Sequence, residues 1–445
     1  MALSILNAVK RWTYGCVARE ISRITRYSDR VIQLDPLAGD TGILRDLIQA
    51  PEKRTASSGD FDSVPARTRE DRAVFLFNGN FNSSLDIQGL LERGFVQMGR
   101  SDRVVVVLYN PFFAWAYRIA DRLGMRNSPP CSTFLTRRDL AQLANLSGFE
   151  IVRLRPTVYL PWHFFGLGTA LNVLMPAIPG VRWLSLMAVA VLRPVRQSST
   201  QPSVTVVIPA RNERGNIENA LRRLPDLGPA TEVIFIEGHS SDGTWEEIQR
   251  VLPLWDGRDG RRVKAYQQTG RGKVDAVRLG FSKATGELLT ILDADLTMPP
   301  ELLPRFLDAY RRGLGDFVNG TRLVYPMEGE AMRVLNRLGN VFFVKLVSWV
   351  LEVPLADTLC GTKLLARRDY ERFVAWRSDF GDFDPFGDFE LLFPAALLGL
   401  GVIDVPVAYR SRTYGSTNIH RFRDGLKLLR MALIGFLRIR LGGSA

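Results

Sequence analysis

Short apolar runs alternate with amphipathic stretches through the second half of the chain. VTVVIPA (204–210) leads to ERGNIENALRRL, EVIFIEG to DGTWEEIQRVL, VKAYQQ to GKVDAVRLGFSKA, and LLTILDA closes the series. Apolar runs bounded by turn residues read as strands, and apolar positions three and four apart read as helices. The repeated order predicts a parallel sheet with helices on both faces, an α/β fold. Ligands of such sheets sit at the carboxyl ends of the strands. The polar residues gather at those ends: Asn212 and Glu213, then Glu237 to Asp242, then Asp293 and Asp295. That placement marks a site.

The first half carries a weaker version of the same order. RAVFLFNG, RVVVVLYN, FEIVRLRP and LSLMAVAVLRP read as strands; SLDIQGLLERGFVQM and TRRDLAQLANLSG read as helices. The opening seventy residues read as irregular, with few buried-strand signals. The polar stretch VRQSSTQPS separates the halves, giving domains at 1–195 and 203–445 joined by a linker at 196–202. Residues 156–181 contain no charged side chain, but Pro161, Pro176, Pro179, Gly166 and Gly168 break any helix into short pieces. This segment reads as a buried or interfacial helical hairpin rather than a membrane span. MRVLNRLGNVFFVKLVSWVLEVPLAD (332–357) and FRDGLKLLRMALIGFLRIRL (422–441) are amphipathic and suit either a core or a membrane surface.

Composition narrows the partners. The 445 residues carry a net charge of +12 with 46% hydrophobic content, which favours phosphate-bearing partners such as nucleotides or an anionic membrane face. No basic–aromatic run, zinc-finger spacing or helix-turn-helix signature accompanies the charge, so nucleic acid is not expected. The three cysteines, Cys16, Cys131 and Cys360, lie far apart and offer neither metal spacing nor a complete disulfide framework. The expected location is cytoplasmic, peripheral to the inner membrane face.

Asp293 and Asp295 stand one residue apart beyond a buried strand. Their oxygens suit Mg²⁺ or Mn²⁺, ions held by one or two carboxylates plus substrate phosphates; an ordinary strand-end turn is the plainer alternative. In EGHSSDGTW, Glu237 suits a base or ribose and Asp242 suits the donor, with capping of the following helix by Ser240, Ser241 and Asp242 as the plainer alternative. In GRGK, Gly270 and Gly272 suit close approach of a phosphate, with Lys273 as its countercharge.

Taken in order, PARNE, EGHSSDGT, GKVDA, DAD, NGTR, DTLCGTK, FGDFEL and RTYGSTN resemble the family-two glycosyltransferases, close to their dolichyl-phosphate mannosyltransferase branch. The resemblance covers about 205–425. It implies a GT-A fold and inverting transfer of a sugar from a nucleotide-diphosphate donor to an acceptor such as a polyprenyl phosphate. It places Pro209, Asn212, Glu213 and Glu237 at the base and ribose, and Asp293 and Asp295 at the metal on the diphosphate. Arg322, Lys363 and Arg412 fall near phosphates or acceptor, and Asp388 where many relatives have a general base; a structural carboxylate capping the next helix is the alternative for Asp388. Four positions depart from the family pattern. Glu237 and Gly238 replace an aspartate pair, Val274 a glycine, and Asn418 a lysine whose contact passes to His420, Arg421 or Arg423.

The first half resembles the latter part of a class I S-adenosylmethionine-dependent methyltransferase, from FDSVPARTREDRAVFLFNG through GFEIVRLRPTVYLP. Its one candidate cofactor turn, IQLDPLAGDTG with Asp35, Gly39 and Gly42, matches poorly, so this half reads as a degenerate docking or membrane-positioning domain. The expected fold is therefore two Rossmann-like α/β domains, the second of GT-A type. A catalytically dead sugar-nucleotide-binding protein, a nucleotidyltransferase and an active methyltransferase are the competing readings. Donor sugar, acceptor and oligomeric state stay open.

Overall fold

The structure is a computed structural model that describes residues 2–57, 71–124, 129–228, 230–326, 334–382, 384, 386–412, 414 and 421–442. The chain forms two compact units. Unit 1 is Met1–Arg196 with Leu397–Gly399 and Arg438–Ser444; unit 2 is Gln197–Ala396 with Leu400–Leu437. A single cut of the sequence does not reveal the two short returns. They are held within unit 1 because buried guanidinium groups need acceptors. Arg72 and Arg103 donate to the carbonyls of Leu398 and Gly399, and Arg155 donates to those of Ile439 and Arg440.

Unit 1 contains α1 (Ala2–Thr25), β1 (Arg30–Leu34), α2 (Ile43–Leu47), β2 (Lys53–Ala56), β3 (Ala73–Asn78), α3 (Asn80–Ser83), α4 (Ile87–Gln97) and β4 (Arg103–Tyr109). It continues with α5 (Ala114–Arg122), α6 (Arg137–Leu146), β5 (Phe149–Thr157), α7 (Leu167–Leu174) and β6 (Met187–Pro194). The sheet order is β2-β1-β3-β4-β6-β5, parallel through β4 and antiparallel at β6. Strand alternation sends Val104 and Val106 to one face of the sheet and Val105 and Val107 to the other. Both faces are covered, so RVVVVLY reads as one apolar run.

The opening seventy residues are not irregular where they are described. Helix α1 buries Val17, Ala18, Ile21 and Ile24, and β1 buries Val31, Ile32 and Leu34. Basic and acidic residues interrupt both patterns, and the core contacts that select them come from distant strands. The turn after β1 is closed by its own side chains. Asp40 accepts from Gln33 and Asn78 and from the Gly42 amide. Residues 58–70, where the methyltransferase-like resemblance begins, lie outside the described residues.

Unit 2 contains β7 (Val204–Ala210), α8 (Ile217–Arg223), β8 (Thr231–Glu237), α9 (Thr244–Trp255), β9 (Arg262–Gln267), α10 (Gly272–Lys283), β10 (Leu288–Ile291) and α11 (Leu303–Arg311). It continues with β11 (Phe317–Thr321), α12 (Val334–Leu351), β12 (Lys363–Ala366), α13 (Arg367–Phe380), α14 (Phe389–Leu397), β13 (Val402–Pro406) and α15 (Arg421–Gly435). The sheet order is β13-β11-β12-β10-β7-β8-β9. The expected parallel sheet holds from β10 through β9. Beyond β10 the sheet is mixed, because the short strand β12 inserts antiparallel between β10 and β11. Its KLLA sequence is too short to announce a strand by periodicity.

Among the described residues, no helix is long and apolar enough to cross a membrane. The charge-free segment 156–181 folds into α7 and short 3₁₀ turns. Of the two amphipathic stretches, α12 buries Val347, Val350 and Leu351 and exposes Leu338 and Phe342. Helix α15 buries Leu428, Met431 and Ala432 and exposes Leu426, Leu429 and Leu433. Each therefore has one apolar face in the core and a second facing outward.

Candidate active site

Parallel pairing in the order β10-β7-β8 brings three carboxyl strand ends together, with Ala210 opposite Glu237 and Ile291 opposite Val207. Beyond β7 the chain turns through Asn212, whose φ is 55°. The Asn212 amide donates to Ser240 Oγ, and its side-chain oxygen accepts from the Ser241 amide. Asn212 thus ties two loops together instead of capping the helix that follows it. Pro209 is half-buried within β7. Asp242 precedes Gly243, the N-cap residue of α9, and accepts from Thr244 N and Arg214 N at 3.0 and 3.2 Å and from the Tyr414 hydroxyl. Burial opposes its ionisation, but the donors around it hold its pKa below the ordinary value.

Glu237 ends β8 almost fully buried, accepting from the Ser240 amide at 2.5 Å and from Gln267 at 3.3 Å. Glu213 is also buried. Asn216 donates to it at 2.7 Å, and burial first, then the charges of Asp295 and Asp242, raises its pKa.

Asp293 and Asp295 stand beyond β10, and each has a basic partner. Lys273 Nζ lies 2.5 Å from Asp293 Oδ1, and Arg412 Nη2 lies 2.7 Å from Asp295 Oδ2. Arg412 also reaches Glu213 at 3.2 Å, joining the strand ends to the late basic segment. Burial disfavours charge at Lys273, but Asp293, Asp388 and Asp295 outweigh it and raise the ammonium pKa. Burial likewise opposes ionisation of Asp293, and Lys273, Lys363 and Arg412 hold it lowered. The glycine turn behaves differently from the expectation of a free phosphate cradle. Gly272 takes a φ of 88°, whereas the Gly270 amide is bound by Asp275 at 3.1 Å.

Two oxygen-donating carboxylates with no nitrogen or sulfur ligand suit a hard divalent cation completed by phosphate oxygens and water. Among the described residues no cluster of three or more potential ligands forms a self-sufficient cage. Gly361 packs directly against this pair: a Cβ at this glycine would meet Asp293 Oδ2 at 2.1 Å and Lys273 Nζ at 2.4 Å, so any larger residue would displace one of them. The oxygen donor set fits such an ion.

Lys363 is fully buried and donates to Asp388 Oδ1 at 2.5 Å. Asp388 is therefore not the helix cap. Asp384, overlooked in the sequence, performs that role by accepting from the amides of Phe386, Phe389 and Glu390. The signal was present as an aspartate before a proline, just upstream of an apolar helix. Arg322 forms a bidentate pair with buried Asp357 at 2.7 and 2.9 Å. Of the late basic loop, Thr413 and residues 415–420, including Asn418 and His420, lie outside the described residues. The Arg421 side chain does too, and Arg423 is exposed on α15.

Burial, and then the charge of Asp388, pushes the Asp384 carboxyl up to about 6 from an ordinary 3.8. The folded chain thus binds this proton more tightly than the unfolded one. That contribution to stability is complete below about pH 4 and is lost as pH rises through about 6. Asp384→Asn removes this titration. Between pH 5 and 7.5 its unfolding free energy in urea should fall less than that of the unsubstituted protein, by roughly 1 kcal/mol. Equal slopes would show that the carboxyl titrates as an ordinary aspartate.

Residues 205–371 match the family model described as glycosyl transferase family 2. The chain is 30% identical to the dolichyl-phosphate hexose transferase of Haloferax volcanii over 227 residues, which is 51% of this chain and 90% of that protein. It is 34% identical to the dolichol-phosphate mannosyltransferase of Pyrococcus furiosus over 123 residues, 27% of this chain but only 33% of that relative's length. A mannosyltransferase of Pyrobaculum calidifontis solved with GDP-Man and Mn²⁺ aligns over 54% of this chain and 66% of its own, at 21% identity and a TM-score of 0.38. With the mixed sheet of unit 2, the family match agrees with the expected α/β, GT-A class. The chain belongs to glycosyl transferase family 2.

Proposed function

We propose that unit 2 transfers a hexose from a nucleoside-diphosphate donor to a polyprenyl-phosphate acceptor with inversion at the anomeric carbon. The observation that carries this reading is the Asp293–Asp295 pair at converging strand ends, countered by Lys273 and Arg412. The curated names of the Haloferax and Pyrococcus relatives support the lipid-phosphate acceptor.

Asp293 and Asp295 would hold a Mg²⁺ or Mn²⁺ ion, which supplies positive charge to the departing diphosphate. Lys273 and Arg412 stand within ion-pair reach of these carboxylates and so border the space the donor phosphates would enter. In the transfer an acceptor oxygen forms its bond to the anomeric carbon as the bond to the donor phosphate breaks. The electron pair leaves with the nucleoside diphosphate, and preorganised cations stabilise the charge as it develops. Glu213 and Glu237, anchored by Asn216 and by the Ser240 amide, would bind the nucleoside.

A phosphate acceptor is already anionic and needs no proton removed. Asp388, committed to Lys363, would then orient that lysine instead of acting as a base. Asp388→Asn should retain turnover with a phosphate acceptor to within about tenfold, below the roughly 10²–10⁴-fold contribution of general-base catalysis. A loss of a thousandfold would assign it the base role.

Unit 1 is read as a degenerate methyltransferase-like domain, supported by the closure of its candidate turn around Asp40. The deciding experiment for unit 2 is a thermal-shift screen of nucleotide sugars with and without Mn²⁺. Stabilisation by one donor only in the presence of metal is expected; no response to any donor would favour a dead site.

A further inference from the structure

From an exposed aromatic patch on unit 1 we infer that this unit docks onto the surface of an anionic lipid bilayer. The patch combines the charge-free ribbon around α7 with the outer face of α5. Phe112, Trp115, Trp162, Phe164, Phe165 and Trp183 are 48–101% exposed. At roughly 150–250 Å² per aromatic side chain, these six leave on the order of 600–900 Å² in water. The largest apolar patch of a typical monomer covers about 300–600 Å².

The α5 side of the patch is tied to the end of the ribbon. Phe112 meets Trp183 edge to face at 4.7 Å, and Asn110 and Tyr117 donate to the carbonyls of Trp183 and Leu186. Gly168 lets α7 fold back on the ribbon: its amide donates to the His163 carbonyl, and a Cβ there would strike the Trp162 carbonyl at 1.8 Å. The backbone is also set in an unusual state. Phe164 and Phe165 have φ values of 43° and 51°, left-handed conformations that bulky residues rarely adopt, and Phe165 is fully exposed. Strain of this kind gathers at functional surfaces.

Charge selects the occupant. Residues 156–181 contain no acidic side chain to repel a membrane. On α5, Arg118 and Arg122 are exposed beside Trp115 and Ile119, and Arg182 follows the ribbon. Exposed aromatic side chains with arginines on the same helix and beside the ribbon match an anionic interface, and the acidic residue of α5, Asp121, is half-buried and bound by the Cys131 amide. A bilayer also gives a lipid-linked acceptor a place to be met, so the inference deepens the acceptor reading above, while its physical basis lies in unit 1 alone.

The test is sedimentation of the 445-residue chain with phosphatidylcholine vesicles, with and without about 30% phosphatidylglycerol. Binding should favour the anionic vesicles at least tenfold. The double substitution Phe164→Asn/Phe165→Asn should reduce it by at least tenfold while keeping or raising Tm, because asparagine tolerates the left-handed backbone. Leu85→Ser/Leu146→Ser, altering exposed leucines elsewhere on unit 1, should leave vesicle binding unchanged. Equal vesicle binding by the double asparagine variant and the unsubstituted chain would overturn the inference. So would loss, in that variant, of a vesicle-free dimer seen by sedimentation equilibrium, which would make the patch a self-association surface. Transfer to a short-chain, water-soluble polyprenyl phosphate should survive both pairs of substitutions. Its absence in the unsubstituted protein would count against the acceptor reading and leave the docking result standing.

Discussion

Asp295→Ala should lower sugar transfer by at least roughly a hundredfold and remove the metal-dependent thermal shift by a nucleotide sugar, leaving the fold intact. One oxygen of Asp295 accepts from the Thr297 amide at 3.1 Å and hydroxyl at 2.8 Å, and the other meets Arg412 at 2.7 Å. Alanine deletes both the charge and the turn. The turn is worth about 1 kcal/mol on the usual scale of a hydrogen bond, too little to unfold a domain. Asp295→Asn separates the two roles, because its amide oxygen still accepts from Thr297 while its charge is gone. Both variants should show this loss of transfer and circular dichroism spectra matching the unsubstituted protein. Full turnover in the asparagine variant would remove the charge at Asp295 from the mechanism.

Arg322→Met should destabilise unit 2 by roughly 3–5 kcal/mol, the cost of leaving a buried charge without its partner. Asp357 is the charge left behind. Its carboxylate receives the Arg322 guanidinium through two bonds and also the backbone amides of Arg322 and Leu359. Burial opposes its ionisation, yet Arg322 holds its pKa lowered, so without the arginine the carboxylate faces burial supported by amides alone. Replacing both residues, Arg322→Met with Asp357→Leu, should recover much of the loss, since a buried pair often exchanges for apolar packing at little cost. Urea denaturation of the three variants measures this. If instead Arg322→Met unfolds within about 1 kcal/mol of the unsubstituted chain but raises the donor KM, the arginine serves the phosphates, as the resemblance implies.

These two residues illustrate what was legible. Asp295 was readable because its chemistry is local: a carboxylate pair just past an apolar strand sits at a carboxyl edge in any parallel α/β sheet. Arg322 was placed near phosphates only by its position in a motif. Its partner lies 35 residues away, and no spacing rule links the two. Asp388 and Asp384 show the same division. Their position before a helix was plain in the sequence, but which one caps the helix depended on where Lys363 lay. The opening helix and first strand were missed because the distant strands that bury Val17 and Val31 are invisible to a local window.

By itself, the sequence determined two α/β units, the strand ends that carry Glu213, Glu237, Asp293 and Asp295, and the glycosyltransferase order of motifs. These follow from side-chain periodicity and from turn residues acting over a few positions. Only the tertiary structure decided that Lys273 and Arg412 are the basic partners of the two aspartates, and that β12 divides the sheet antiparallel. It alone turned the charge-free ribbon of unit 1 outward. Each of these is a choice among long-range partners, made by burial and charge pairing across the fold, and a one-dimensional pattern carries no record of it.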